Sequence, residues 1–238
     1  MPATFAERVS IPVSDGTRMG AYVSRPDGGG KWPVLVVFQE IFGVNAHVRS
    51  VADRFGREGF IAVAPDVFHR SQDWFEGSYT DVAASFALAE KVTDAGLLAD
   101  LRAVAEWARG DSRADAERMG CVGFCRGGRY SFLANCELPL KAAISFYGGG
   151  IHPLLTPRVA ELHGPMLFLW GGKDAHIDAA QRRAVADALD KAGKPYVSAE
   201  FAMADHGFFC DARASYHLAA ARQAWALSLQ FLDAYLRG

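Results

Sequence analysis

One short stretch carries most of the chemistry this chain could perform. Gly123-Phe124-Cys125-Arg126-Gly127-Gly128 has the spacing of the nucleophile-elbow pattern G-x-S-x-G, with cysteine in the place of serine. That pattern presents a side chain on a sharp strand-to-helix turn, and flanking glycines remove the clashes that the strained turn would otherwise create. A thiolate held there is a nucleophile for acyl transfer. The backbone N–H that follows it, that of Arg126, opens the next helix, where the dipole favours developing negative charge. A second oxyanion donor is expected from the loop Gln39-Glu40-Ile41-Phe42-Gly43, and Ile41 is the residue chosen. Each such donor contributes about 2.7–4 kcal/mol in the transition state. The bland reading of Cys125 is a small packing residue in a glycine-rich turn.

A thiol nucleophile needs a base, and the base needs an orienting acid. Seven histidines compete for the first role. His206, flanked by Asp205 and Gly207, follows the last strand-like run and is the candidate base. His163 precedes a strand-like run and so belongs to the opposite edge. His47 and His217 lie on helical patterns, as solvated or capping residues. His69, His152 and His176 lie on loops, and of these only His176 is near the acid. The candidate acid is Asp174 in Gly171-Gly172-Lys173-Asp174, and Asp178 is a weaker rival because it reads as a helix start. The chain order Cys125, Asp174, His206 is nucleophile, acid, base, which differs from the order in other triad proteases. Cys121, Cys136 and Cys210 read as structural, and Asp66 as a turn residue after Pro65.

The elements that must position these groups are legible from apolar runs. Val34–Phe38 is β-branched, apolar and unalternated, as a strand buried on both faces should be. Similar runs occur at 60–64, 119–123, 142–147, 166–170 and 196–202. Helical patterns lie between them at 47–58, 82–92, 97–108, 126–136, 179–192 and 216–236, with Gly193 as a C-cap. This alternation predicts an α/β fold, with a mainly parallel central sheet covered by helices on both faces. Residues 5–24 alternate and predict an N-terminal antiparallel edge hairpin, and Asp27-Gly28-Gly29-Gly30 reads as a hairpin turn. In such sheets ligands bind beyond the carboxyl ends of the strands. Gln39-Glu40, Pro65-Asp66, Cys125, Tyr147-Gly148-Gly149, Lys173-Asp174 and Asp205-His206 all fall there.

Composition narrows the function classes. The chain has 238 residues, 50% apolar and 22% charged, which predicts one globular domain over residues 1–238. Its net charge of -2 offers no basic excess for phosphate backbones, so nucleic acid is not an expected partner. No apolar run approaches a membrane span of about 18 residues, and the first ten residues lack a signal pattern. With four cysteines and no C-x-x-C pair, a cytoplasmic location is expected, with no metal site and no cofactor.

Together these residues resemble the dienelactone hydrolase family, cysteine enzymes of the α/β-hydrolase superfamily. The resemblance runs from about Ile11 to Leu236. It rests on Gln39-Glu40-Ile41-Phe42-Gly43-Val44-Asn45, Gly123-Phe124-Cys125-Arg126-Gly127-Gly128, Gly172-Lys173-Asp174 and Asp205-His206-Gly207-Phe208. It implies an α/β-hydrolase fold and a Cys125-His206-Asp174 triad that cleaves a small ester or lactone through a thioester acyl-enzyme. It also implies a fourth participant, Glu40, which contacts the resting thiol and helps to form the thiolate. A carboxylate beside a thiol raises the thiol pKa, and its displacement by substrate would let His206 complete the ion pair. The expected partners are a small ester or lactone and water, on a monomer or weak homodimer.

Two departures from the family bear on the substrate. Members that act on dienelactone hold its carboxylate with two arginines. One lies four residues after the histidine, where this chain has Cys210, and the other lies in a segment where this chain has no arginine between Ser71 and Leu101. Arg70, Arg126 and Arg213 are the candidates to replace them, and Trp74, Phe75 and Tyr147 are further substrate-binding candidates, with Tyr79 beside them. This points to a less polar ester or lactone. Two other readings remain at this stage: a non-hydrolytic ligand sensor on the same fold, and a thiol redox protein pairing Cys125 with Cys121 or Cys210.

Overall fold

The computed structural model describes residues 3–237. Its strands form one mixed sheet in the order β1-β2-β4-β3-β5-β6-β7-β8. The chain divides into two compact units, Met1–Gly120 and Cys121–Gly238.

In the first unit, β1 (Thr4–Pro12) and β2 (Arg18–Pro26) form the expected antiparallel hairpin, in register from Thr4↔Pro26 to Pro12↔Arg18. Strands β3 (Trp32–Phe38) and β4 (Ile61–Pro65) pair in parallel, and nearly every residue of both is buried. Helix α1 (Ala46–Arg57) joins them, capped by Asn45, whose side chain accepts from the Val48 N–H. Helices α2 (Ala83–Ala89) and α3 (Asp94–Gly110) follow. One expectation is corrected. Asp27–Gly30 is not a hairpin turn, because β2 pairs antiparallel with β4, and β4 separates it from β3. Strand β4 is buried along its whole length and takes the inner place between β2 and β3. The glycine run is instead a crossover pinned by Arg113, whose guanidinium donates to the carbonyls of Pro26 and Gly28.

The loop after β4 is anchored by buried charge. Asp66 is buried and accepts from the N–H groups of Phe68 and Trp74, at 3.1 and 2.6 Å. Burial raises its pKa against the pull of those two donors. Further along, Asn45 donates to the Tyr79 hydroxyl, Arg49 pairs with Glu76, and the Gly77 N–H reaches the Phe42 carbonyl. Segment 75–79 thus straps the loop that carries Ile41. Gly43 makes the strap possible. Its φ is +79°, and a Cβ there would stand 1.7 Å from the Phe75 carbonyl oxygen. Gly43→Ala is therefore expected to cost at least about 1–3 kcal/mol of stability from backbone strain alone. An unchanged urea midpoint would show that the strap yields freely.

The second unit carries α4 (Arg126–Glu137), β6 (Ala142–Phe146), a 3₁₀ turn (Thr156–Glu161), β7 (Met166–Gly171), α5 (Ala179–Ala192), β8 (Tyr196–Phe201) and α6 (Leu218–Leu232). Strand β5 (Ala114–Phe124) leads into it. Strands β6 and β7 are buried throughout and pair in parallel, as their unalternated runs require. Strand β8 differs from expectation. It ends the sheet order, and Val197, Ser198 and Glu200 are exposed. Its polar positions suit an edge. Asp178 starts α5 in a capping box with Gln181, and Gly193 ends it at φ 64°, so Asp178 is a structural residue.

Candidate active site

The elbow is real and strained. Cys125 lies between β5 and α4 with φ 54° and ψ -118°, in a region that costs a non-glycine residue about 1–3 kcal/mol. Two backbone bonds hold it there: its N–H donates to the Phe146 carbonyl at 3.0 Å, and its carbonyl accepts from Gly128 at 2.9 Å. The glycine two residues before it answers a steric demand, since a Cβ on Gly123 would lie 1.9 Å from the Gly127 carbonyl oxygen. Arg126 is the first residue of α4, so its N–H is one of those with no acceptor inside the helix.

The candidate acid and base are brought together by the β7–β8 ladder. Gly171 and Phe201 are paired at its end, so the loops that follow start side by side. The Gly172 and Lys173 N–H groups then donate to the carbonyls of Phe201 and Ala204 and tie those loops together. Asp174, buried at the first loop, divides its oxygens between two tasks. Oδ1 accepts from the N–H groups of His176 and Ile177, at 2.8 and 3.2 Å. Oδ2 faces His206 Nδ1 at 2.8 Å. Burial pushes the Asp174 pKa up, but His206 and the two N–H donors outweigh it, and the net shift is downward.

His206 is the meeting point. Burial alone would lower its pKa, yet Asp174 and the hydrogen-bonded Cys125 side chain raise it from 6.5 to about 10. With Nδ1 committed to Asp174, Nε2 is the ring nitrogen left for the thiol. The bed beneath is aromatic. Tyr147, fully buried at φ 38°, sets its ring 5.1 Å from that of His206. Phe208 packs on Tyr147, and Phe209 stacks on Phe124 directly before the elbow. Exposed His176 places its ring 5.1 Å from His206, nearly perpendicular to it. The sequence offered one signal for this contact: the position of His176 two residues after the acid.

The remaining expectations fall as follows. All four cysteines are free thiols. Cys121, Cys136 and Cys210 are buried, and burial pushes the Cys121 and Cys136 thiols up to about 12, as packing residues. Glu40 is buried, not a surface loop carboxylate, and Ile41 is buried beside it in sequence. Arg70 spends its guanidinium on Asp100, through two bonds of 2.8 and 2.9 Å, and on Asp15. His69 joins the same buried carboxylate. The Trp74 ring lies against Gly20, under the guanidinium of Arg8, and Phe75 packs on Phe68. Tyr147 backs the histidine as a buried wall. Arg126 donates through Nε to the Tyr130 hydroxyl. Arg213 fills the space where a Cβ of Gly207, the residue after His206, would project. Among the described residues no helix is long and apolar enough to cross a membrane.

The chain is similar over nearly its whole length to several known proteins. The model of the family described as "Dienelactone hydrolase family" matches residues 19–236. A Synechocystis sp. protein described as "Putative carboxymethylenebutenolidase" is 35% identical over 239 residues, covering 96% of each chain. A Bradyrhizobium sp. protein described as "Probable 2-oxo-3-(5-oxofuran-2-ylidene)propanoate lactonase" is 28% identical and covers 97% of this chain and 94% of its own. The crystal structure of a "Putative Dienelactone Hydrolase" from Klebsiella pneumoniae superposes with a TM-score of 0.91 at 37% identity, over 98% of this chain and all of the other.

Proposed function

Because the chain belongs to the dienelactone hydrolase family, and is a hydrolase of carboxylic esters or lactones, we propose that it acts through a Cys125-His206-Asp174 triad and a thioester intermediate. The observation that carries the reading is a thiol on a strained elbow, hydrogen-bonded to an imidazole whose other nitrogen is held by a buried carboxylate.

In this mechanism His206 takes the Cys125 proton, and Sγ adds to the substrate carbonyl carbon. The carbonyl electron pair moves onto oxygen, where the Arg126 N–H stabilises it. Collapse breaks the C–O bond, and His206 returns its proton to the leaving oxygen, which stays tethered if the substrate is a lactone. His206 then deprotonates water, which attacks the thioester and frees the carboxylic acid and the thiol. Asp174 holds the tautomer that leaves Nε2 open to the thiol. Glu40, as thiol activator, and the Ile41 N–H, as second oxyanion donor, complete the proposal on the strength of the family motif.

The relatives' names point to butenolide and oxofuranylidene lactones, and a small lactone of that kind is the proposed substrate class. Arg213, whose guanidinium lies against Gly207, stays a candidate partner for a carboxylate on it. Arg70 is left out because Asp100 and Asp15 already hold it. Rapid quench with p-nitrophenyl acetate tests the chemistry. One acetyl group should be found on Cys125 by peptide mass spectrometry and should disappear on further incubation. Turnover with no acyl group ever on Cys125 would reject the thioester route.

A further inference from the structure

We propose that one face of the β1–β2 hairpin carries a second ligand site, for a small organic monocarboxylate. The inference goes beyond the proposed function and does not rest on it, since the site is built wholly from the first unit. A cavity of about 320 Å³ opens there, lined in part by Arg8, Ser10, Arg18, Gly20, Asp73 and Trp74. The register sets Ser10 opposite Gly20 and Pro12 opposite Arg18, so by alternation Arg8, Ser10, Arg18 and Gly20 share one face of the hairpin. The volume is that of a small-molecule site.

Both arginines are held by contacts that do not neutralise them. The Arg8 guanidinium stands 4.2 Å over the Trp74 ring, a cation–π contact, and its N–H donors have no acceptor among the described residues. Arg18 donates through Nε to the Ser10 hydroxyl at 3.0 Å and through Nη2 to the Ser10 carbonyl at 3.2 Å, which fixes the side chain and leaves Nη1. Among the described residues neither has a carboxylate partner, whereas Arg25, Arg49 and Arg70 of the same unit all do. The tryptophan is held under strain. Its φ of +51° lies in a region that bulky side chains rarely enter, and Asp66 accepts its N–H there at 2.6 Å. Its ring also demands glycine beneath it, because a Cβ on Gly20 would stand 2.7 Å away. Backbone strain of this kind clusters at ligand clamps. Two fixed guanidiniums with open donors suit the oxygens of a carboxylate, and the indole offers an apolar wall for the rest of the molecule. Asp73 offsets one of the two positive charges, so the cavity matches one negative charge better than the nearly two of a phosphate monoester.

The test titrates the isotope-labelled full chain with benzoate, benzamide and phenyl phosphate, following the Trp74 indole N–H and the Ser10 amide by NMR. Benzoate should shift both signals saturably, with a Kd of about 0.1–1 mM. Benzamide, of the same shape without the charge, should bind at least about tenfold more weakly, and phenyl phosphate no more tightly than benzoate. Arg8→Gln and Arg18→Gln should each weaken benzoate by about fivefold or more at these two signals, with the rest of the spectrum kept. An equal response to benzoate and benzamide overturns the inference, as does a lack of saturable shifts up to about 20 mM benzoate. Unchanged affinity in either arginine variant overturns it too, and tighter binding of phenyl phosphate overturns the choice of a carboxylate. No substrate is turned over in this experiment, so its failure and a failure of the thioester route are separate results.

Discussion

Cys125→Gly is expected to make the protein more stable than Cys125→Ala while both lose at least about 10⁴-fold in kcat/KM for p-nitrophenyl acetate, the usual scale for removing a triad nucleophile. The reasoning separates the thiol from the backbone that presents it. Alanine removes the sulfur and keeps a Cβ at φ 54°, ψ -118°, so the strain remains. Glycine relieves strain worth about 1–3 kcal/mol and gives back about 0.5–1 kcal/mol in unfolded-chain entropy. The net gain of glycine over alanine is then about 0.5–2 kcal/mol. The bonds from the Cys125 N–H to Phe146 and from Gly128 to the Cys125 carbonyl are backbone bonds, so both variants keep them. Urea midpoints and steady-state rates on the two variants check both halves. Retained turnover in either would remove Cys125 from the chemistry. Glycine no more stable than alanine would mean that the elbow stores no strain. A strained nucleophile whose relief costs activity is the trade expected where geometry is kept for function.

What could be seen in the sequence was whatever depends on local covalent and burial demands. The elbow was visible because a Gly127 carbonyl pressed against residue 123 leaves no alternative to glycine there. The inner strands were visible because burial on both faces erases alternation. Asp174 and His206 were visible from their places after consecutive strands, and the β7–β8 register converts those places into one site. Other features depend on pairings distant in sequence. A glycine run looks the same as a hairpin turn or as a crossover, and the position of β4 between β2 and β3 decides which. Strand β8 has an apolar start like its neighbours, and only its place at the end of the sheet exposes it. Arg70 looked available for substrate until Asp100, 30 residues on, and Asp15, 55 residues back, were found to hold it. The contact of His176 with His206 likewise joins two loops that are distant in sequence and meet at Asp174.

Asp174→Asn should lower kcat/KM by about 10³–10⁴-fold and also change how stability depends on pH. The amide can still accept from the His176 and Ile177 N–H groups through its oxygen, which places its NH₂ toward His206 Nδ1. Nδ1 must then accept, the ring proton moves to Nε2, and the nitrogen that should take the thiol proton is blocked. The stability consequence has two signs. The folded pKa of His206 is raised from 6.5 to about 10, so its contribution is complete below pH 6.5 and is lost as pH rises through about 10. The folded pKa of Asp174 is lowered, so its contribution is complete above the ordinary carboxylate value of 3.8 and is lost as pH falls through the lower folded value. The wild type should therefore exceed the variant most between pH 3.8 and pH 6.5. A buried charge-assisted hydrogen bond makes that gap about 1.5–3 kcal/mol. The gap should close steadily toward pH 10, because deprotonated His206 gains little from a carboxylate over an amide. Urea unfolding of both proteins at pH 5.5, 7.5 and 9.5 measures it. A gap independent of pH would mean that the two residues are joined as neutral partners, and that the imidazolium the mechanism requires is not what Asp174 stabilises.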